Sequence, residues 1–157
     1  MTTMSDDLAR QFHVSRESRE RLQTYVALLL EWQAKINLIG PSTVETVWQR
    51  HVADGLQLIP LLPESPRVIA DLGSGGGIPG LILAAATDAH VHFYEANGKK
   101  VAFLREALRR MAVRGTVHQC RIEELVHRAD LPPARVVTAR ALAPLPLLLQ
   151  HAAPFLA

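Results

Sequence analysis

The chain has 157 residues, 48% of them hydrophobic and 20% charged, which fits one domain with a real core and excludes intrinsic disorder. The longest purely apolar run is about six residues, 81–86, where a spanning helix needs ~18 or more, and the single cysteine, Cys120, excludes a disulfide scaffold and a Cys-based zinc site. A formal charge of +2 and a pI near 9.0 permit an anionic partner without demanding one.

In chain order, the opening MTTMSDD has neither a basic n-region nor an apolar h-region, so the expectation is a cytoplasmic protein without a cleaved leader. The first 60 residues read as helical. Leu22, Tyr25, Val26, Leu29 and Ile36 recur on one helix face, and Gly40-Pro41 should break that helix. Ser42-Thr43-Val44-Glu45 matches a capping box, followed by a second apolar face of Val44, Val47, Trp48, Val52 and Ile59. The proline-rich segment 60–66 marks a boundary, giving a helical cap (1–62) and a second part (63–157).

Beyond it the rhythm alternates. Strands are expected at 67–72, 91–95, 116–119 and 136–139, and helices at 80–86 and 99–111. A helical turn or two should follow at 122–127, and a helix after Pro146. Alternating strands and helices predict an α/β fold with an open parallel sheet built from right-handed βαβ units.

The segment DLGSGGGIPG (71–80) holds five of the nine glycines and joins the first strand to a helix. Such a loop should turn bare N–H groups toward the crevice where α/β sheets bind ligands. A P-loop is excluded, because Leu81-Ile82 stand where Lys and Ser/Thr are required. Gly75, Gly77 and Gly80 satisfy a dinucleotide pattern on paper, which leaves an NAD-binding oxidoreductase as a weaker alternative. Asp71 argues against it: a carboxylate at the strand tip repels a pyrophosphate and suits a cation. S-adenosylmethionine (SAM), with a sulfonium, an ammonium and no phosphate, is the better match. Glu95, ending the second strand, should accept hydrogen bonds from ribose hydroxyls.

These residues resemble a known family. DLGSGGGIPG (71–80), YEANGKKVAFLREAL (94–108), RIEEL (121–125) and TARALAPL (138–145), with NLIG (37–40) and RHVADGL (50–56) upstream, resemble the ribosomal RNA small subunit methyltransferase G family. The resemblance implies a class I SAM-dependent methyltransferase acting on a guanine N7 of 16S rRNA. It implies that Gly73 and Ile78, with Gly75 in the same loop, line the SAM pocket. It also implies that Ile122 and Glu123 flank the adenine, and that Arg140 meets the cofactor or the target base. Read from its position alone, Arg140 needs a partner, with a salt bridge to Asp71 as one expectation.

The chemistry agrees with what is missing. Guanine N7 has an accessible lone pair and no proton to lose, so no general base is expected. Cys120 reads as a small core residue rather than a nucleophile. Lys99, Lys100, Arg105 and Arg109 form a basic run that would meet rRNA phosphates. The seven histidines carry no metal signature, and His90 and His92 share a strand face with nothing near. His51, one turn before Asp54, reads as a cap contact or as a residue that closes over the ligand. Class I methyltransferases normally carry strands 5 to 7 after this point. The expected sheet is therefore 3-2-1-4 with strand 4 as an open edge, and an uncovered edge beside an uncharged 141–157 tail invites self-association. A non-catalytic SAM- or RNA-binding short form is the alternative that follows.

Overall fold

The computed structural model describes residues 3–64 and 67–156. Ser65 and Pro66 of the expected boundary, and Ala157 of the tail, lie outside the described residues.

The N-terminal part is helical, with α1 (Asp6–Gln11), α2 (Arg16–Gln33) and α3 (Ala53–Leu56). Ser15 caps α2 by accepting from the Ser18 N–H, and Leu22, Tyr25, Val26 and Leu29 form its buried face. The helix ends at Gln33, ahead of the expected break at Gly40-Pro41. The Gln33 side chain closes it, accepting from the Leu38 and Ile39 N–H groups and donating to the Ile39 carbonyl. The capping box at 42–45 does not form. Pro41–Thr43 is a 3₁₀ turn, and the Thr43 hydroxyl donates to the Gly40 carbonyl instead. The next stretch, Trp48–Val52, is π-helical before it tightens into α3.

Four strands follow: β1 (Val68–Leu72), β2 (His90–Glu95), β3 (Gly115–Gln119) and β4 (Val136–Ala139). They pair in parallel in the order β3-β2-β1-β4, with α4 (Gly80–Ala86) and α5 (Gly98–Met111) as crossovers. Asn97 caps α5, its side chain accepting from the Lys99 and Lys100 N–H groups. An apolar helix, α6 (Leu145–Ala152), comes last; it buries no residue and exposes Leu145, Leu147 and Leu149.

Strand parity divides the core. Ile69, Val91 and Phe93 face α2, α4 and α5 in one large cluster that also contains Tyr25, Leu29, Trp48 and Val52. Ala70, Leu72 and Tyr94 face the other way, into a smaller cluster with Ile122, Leu125, Ala134 and Phe155. The last turn is pinned there by the Ala134 N–H, which donates to the Phe155 carbonyl at 2.8 Å.

His90 and His92 are not isolated on that second face. His90 Nε2 lies 2.9 Å from the Thr116 hydroxyl, and His92 Nδ1 lies 3.0 Å from His118 Nε2. The ladder continues to Tyr94, whose ring stacks on His118 at 4.6 Å. Burial and the neighbouring His90 and His118 rings push His92 down to about 4. Among the described residues no group of three or more His, Cys, Asp or Glu side chains could hold a metal ion. No helix of the described residues is long and apolar enough to cross a membrane.

Candidate functional site

The tips of β1 and β4 and the cap enclose a cleft of about 260 Å³. Its walls are Leu38, Ile39, Gly40 and His51 from the cap, Gly73 to Gly76 and Ile78 from the glycine loop, and Arg140-Ala141 directly after β4. Gly73, Gly75, Ile78 and Arg140, four of the expected binding residues, therefore meet in one place.

The glycine loop needs its glycines for geometry. Gly73 (φ +64) and Gly75 (φ +54) are left-handed. A Cβ on Gly73 would also stand 2.7 Å from the Leu142 side chain, so the chain just past β4 packs directly on the loop. The expected array of bare N–H groups is largely engaged, however. Gly73 and Ser74 donate to the Tyr94 carbonyl at 2.9 and 3.2 Å, Gly77 donates to the Ser74 carbonyl at 2.7 Å, and Gly75 donates to Glu95 Oε1 at 2.7 Å. The loop is held by its neighbours rather than held ready for an anion.

Two carboxylates underlie the site. Glu95 adjoins it, bonded to the Gly75 N–H through one oxygen and to the Asn97 N–H through the other, at 2.9 Å. Each oxygen keeps a second lone pair for a hydroxyl donor. Asp71 sits lower than its sequence position implied. Its side chain lies on the Phe93 face of the sheet, is 1% exposed, and packs beneath Gly80. Oδ1 accepts from the Thr138 hydroxyl at 2.7 Å, while Oδ2 has no hydrogen-bond partner among the described residues. Burial pushes its pKa up to about 6, against the opposing pull of the Thr138 and Ser74 hydroxyls.

Arg140 is not ion-paired with Asp71. Its Nη1 lies 3.0 Å from His51 Nδ1, and His51 Nε2 lies 2.8 Å from the Thr43 hydroxyl. Burial first, then the Arg140 and Arg50 charges, hold His51 below its ordinary range. Ala141, directly after Arg140, is left-handed at φ 53, an uncommon conformation for a residue with a Cβ.

The remaining candidates lie outside the cleft. Ile122 is buried against Tyr94 in the second cluster, and Glu123 is exposed on its 3₁₀ turn. Lys99, Arg105 and Arg109 are exposed along α5, and Lys100 is half-buried. Arg109 is held by Glu106 through two hydrogen bonds of 3.0 and 2.7 Å, and Arg105 reaches the Val117 carbonyl at 3.4 Å.

Sequence reading missed Tyr25, Thr43 and Thr138 as site-building groups. A tyrosine on an otherwise apolar helix face was the available signal, because a buried phenol needs a partner. Its hydroxyl donates to the Gly76 carbonyl at 2.6 Å.

A family model described as rRNA small subunit methyltransferase G matches residues 18–157. The Ribosomal RNA small subunit methyltransferase G of Rhodospirillum centenum is 51% identical over 150 residues, covering 96% of this chain and 68% of that protein. Its namesake in Gluconobacter oxydans is 52% identical over 143 residues, covering 91% of this chain and 72% of that protein. Among solved structures, a Pyrococcus horikoshii protein provisionally assigned as an RNA methyltransferase superposes with a TM-score of 0.50 at 18% identity. The match covers 84% of this chain and 67% of that one. At that identity the likeness shows the shared fold.

Proposed function

The chain belongs to the rRNA small subunit methyltransferase G family, and from that premise we propose that its cleft binds SAM and directs methyl transfer to N7 of a guanine in 16S rRNA. The observation that carries this reading is the electrostatics of the loop. Its N–H groups are largely engaged within the protein, and carboxylates stand beneath and beside it. That environment suits a cationic ligand and opposes a pyrophosphate, so the dinucleotide alternative finds no support.

Within this reading Gly73, Gly75 and Ile78 shape the pocket floor. Glu95 takes the ribose hydroxyls through its free lone pairs. Asp71 acts through its field rather than by contact. Ile122 and Glu123 flank the adenine, and Arg140 faces the cofactor or the base. Bound there, SAM supplies an activated methyl group, and guanine N7 receives it without loss of a proton. The chain's own task is then to orient and to exclude water. Lys99, Lys100, Arg105 and Arg109 meet the phosphates of small-subunit rRNA. The cap, residues 1–62, closes over the SAM-binding part, 63–157, in a cytoplasmic enzyme. The β4 edge and the leucines of α6 offer a surface for self-association.

Calorimetric titration of the full chain with SAM, followed by transfer of labelled methyl to small-subunit RNA with the site mapped, tests this reading. Saturable SAM binding and a methylated guanine are expected. Absence of SAM binding by the folded chain overturns the cofactor assignment. Binding without transfer identifies a SAM- or RNA-binding module instead.

A further inference from the structure

We propose that His51 is a positioning residue for Arg140, and that it works only as the neutral tautomer protonated at Nε2. The proposal rests on the cleft being the methyl-transfer site. Its geometry can nonetheless be tested separately.

The hydrogen-bond chain has one consistent proton assignment. Arg140 carries donors only, so His51 Nδ1 must offer its lone pair to Nη1 at 3.0 Å. At the other ring nitrogen, the single Thr43 hydroxyl proton goes to the Gly40 carbonyl at 2.7 Å. The hydroxyl oxygen must therefore accept from His51 Nε2–H at 2.8 Å. Gly40, His51 and Arg140 all line the cleft, so the relay runs along its wall from the cap to the tip of β4.

Protonating His51 would place an N–H against the guanidinium, exchanging an acceptor for a like charge. The surroundings favour the neutral ring. His51 is 5% exposed, and Arg140 just past β4 and Arg50 on its own segment oppose protonation, with Asp54 as the weaker counterweight. Tyr25 of α2 feels the charges of both Arg140 and Asp71 of β1. The interaction is complete above the ordinary histidine range and is lost as pH falls through the lowered value. The left-handed Ala141 turns the chain immediately after Arg140, whose guanidinium tip meets His51.

The test compares His51→Asn, His51→Gln and His51→Ala, each checked for folding by circular dichroism. An Asn amide oxygen stands near the Nδ1 position and can still accept from Arg140. A Gln amide reaches the Nε2 position and cannot. Methyl-transfer kcat/KM should fall on the order of tenfold to a hundredfold in the Gln and Ala variants, the range for losing one hydrogen bond to a charged group. His51→Asn should recover a large part of that loss, and its activity should lack the acid limb of the unsubstituted protein. An unchanged acid limb in His51→Asn, or equal activity of the Asn and Gln variants, overturns the proposal. Ring-nitrogen NMR on histidine-labelled protein provides a readout free of activity. It should show Nδ1 bare and Nε2 protonated at neutral pH, and the reverse tautomer overturns the proposal. A protein that shows this tautomer yet binds no SAM would sink the proposed function while leaving the Arg140–His51 geometry standing.

Discussion

The Tyr25 hydroxyl donates to the Gly76 carbonyl at 2.6 Å, joining the middle of α2 to the glycine loop 51 positions later. The contact is buried, and burial holds the phenol protonated far above the ordinary tyrosine range. Tyr25→Phe keeps the ring's packing near Phe103 and strands the Gly76 carbonyl. The expected cost is about 1–3 kcal/mol of stability. Urea denaturation measures it, and SAM titration should show a weaker site in the still-folded variant.

Asp71 gives a pH dependence with a definite sign. Its folded value, up to about 6, lies above the ordinary 3.8, so the folded state takes up a proton that the unfolded chain releases. The penalty for the buried charge is absent at low pH, grows as pH rises through that window, and is complete above it. Asp71→Asn should therefore gain stability relative to the unsubstituted protein as pH rises from about 4 to about 7, by roughly 2–3 kcal/mol. Denaturation curves across that range check it, and a difference that does not move with pH contradicts it.

Gly80 opens α4 against the same carboxylate. Gly→Ala inside a helix normally helps by about 0.5–1 kcal/mol. Here the new Cβ would lie 2.6 Å from both Asp71 Oδ2 and Phe93 Cε1, two groups buried with no room to withdraw. Overpacking of about 1–3 kcal/mol should outweigh the helical gain. A lower melting temperature in Gly80→Ala is expected, and a rise contradicts the packing reading.

The basic face of α5 is tested by salt. If Lys99 and Arg105 each neutralise one rRNA phosphate, removing either should lower the slope of log affinity against log salt by roughly 0.7–0.9. Glu106 lies within the same basic run, held by Arg109 and 3.6 Å from Arg110. Glu106→Gln should strengthen RNA binding, because the exposed pairs that it ends are worth about 1 kcal/mol or less. Filter binding over a salt series measures both effects.

The alternating strands, α4, α5 and the 3-2-1-4 order were legible because period, glycine loop and crossover handedness all agree along the chain. What escaped depends on partners distant in sequence. Ser42 to Glu45 fits a local capping pattern, but Thr43 binds Gly40 and His51, and only the fold brings His51 there. His92 reads as solitary until the register of β2 on β3 sets His118 beside it, 26 positions on. Asp71 shows a third kind of miss. The residue type suggested a site for a cation at the strand tip, whereas strand parity turns its side chain under α4 and away from the cleft. Arg140 was recognisable as a charge needing a partner, but that partner lies 89 positions earlier in a π-helical stretch that no helical periodicity reveals.

The glycine loop is tied to α2 through Gly76, to β2 through Gly73 and Ser74, and to the Glu95 carboxylate through Gly75. Its left-handed turns are therefore set during folding, and a ligand meets a surface already in shape. Ordering that a flexible loop would undergo at the moment of capture is absent from the binding equilibrium. Association should be fast and governed by diffusion into the cleft, and differences in affinity among loop variants should appear chiefly in how quickly the ligand escapes.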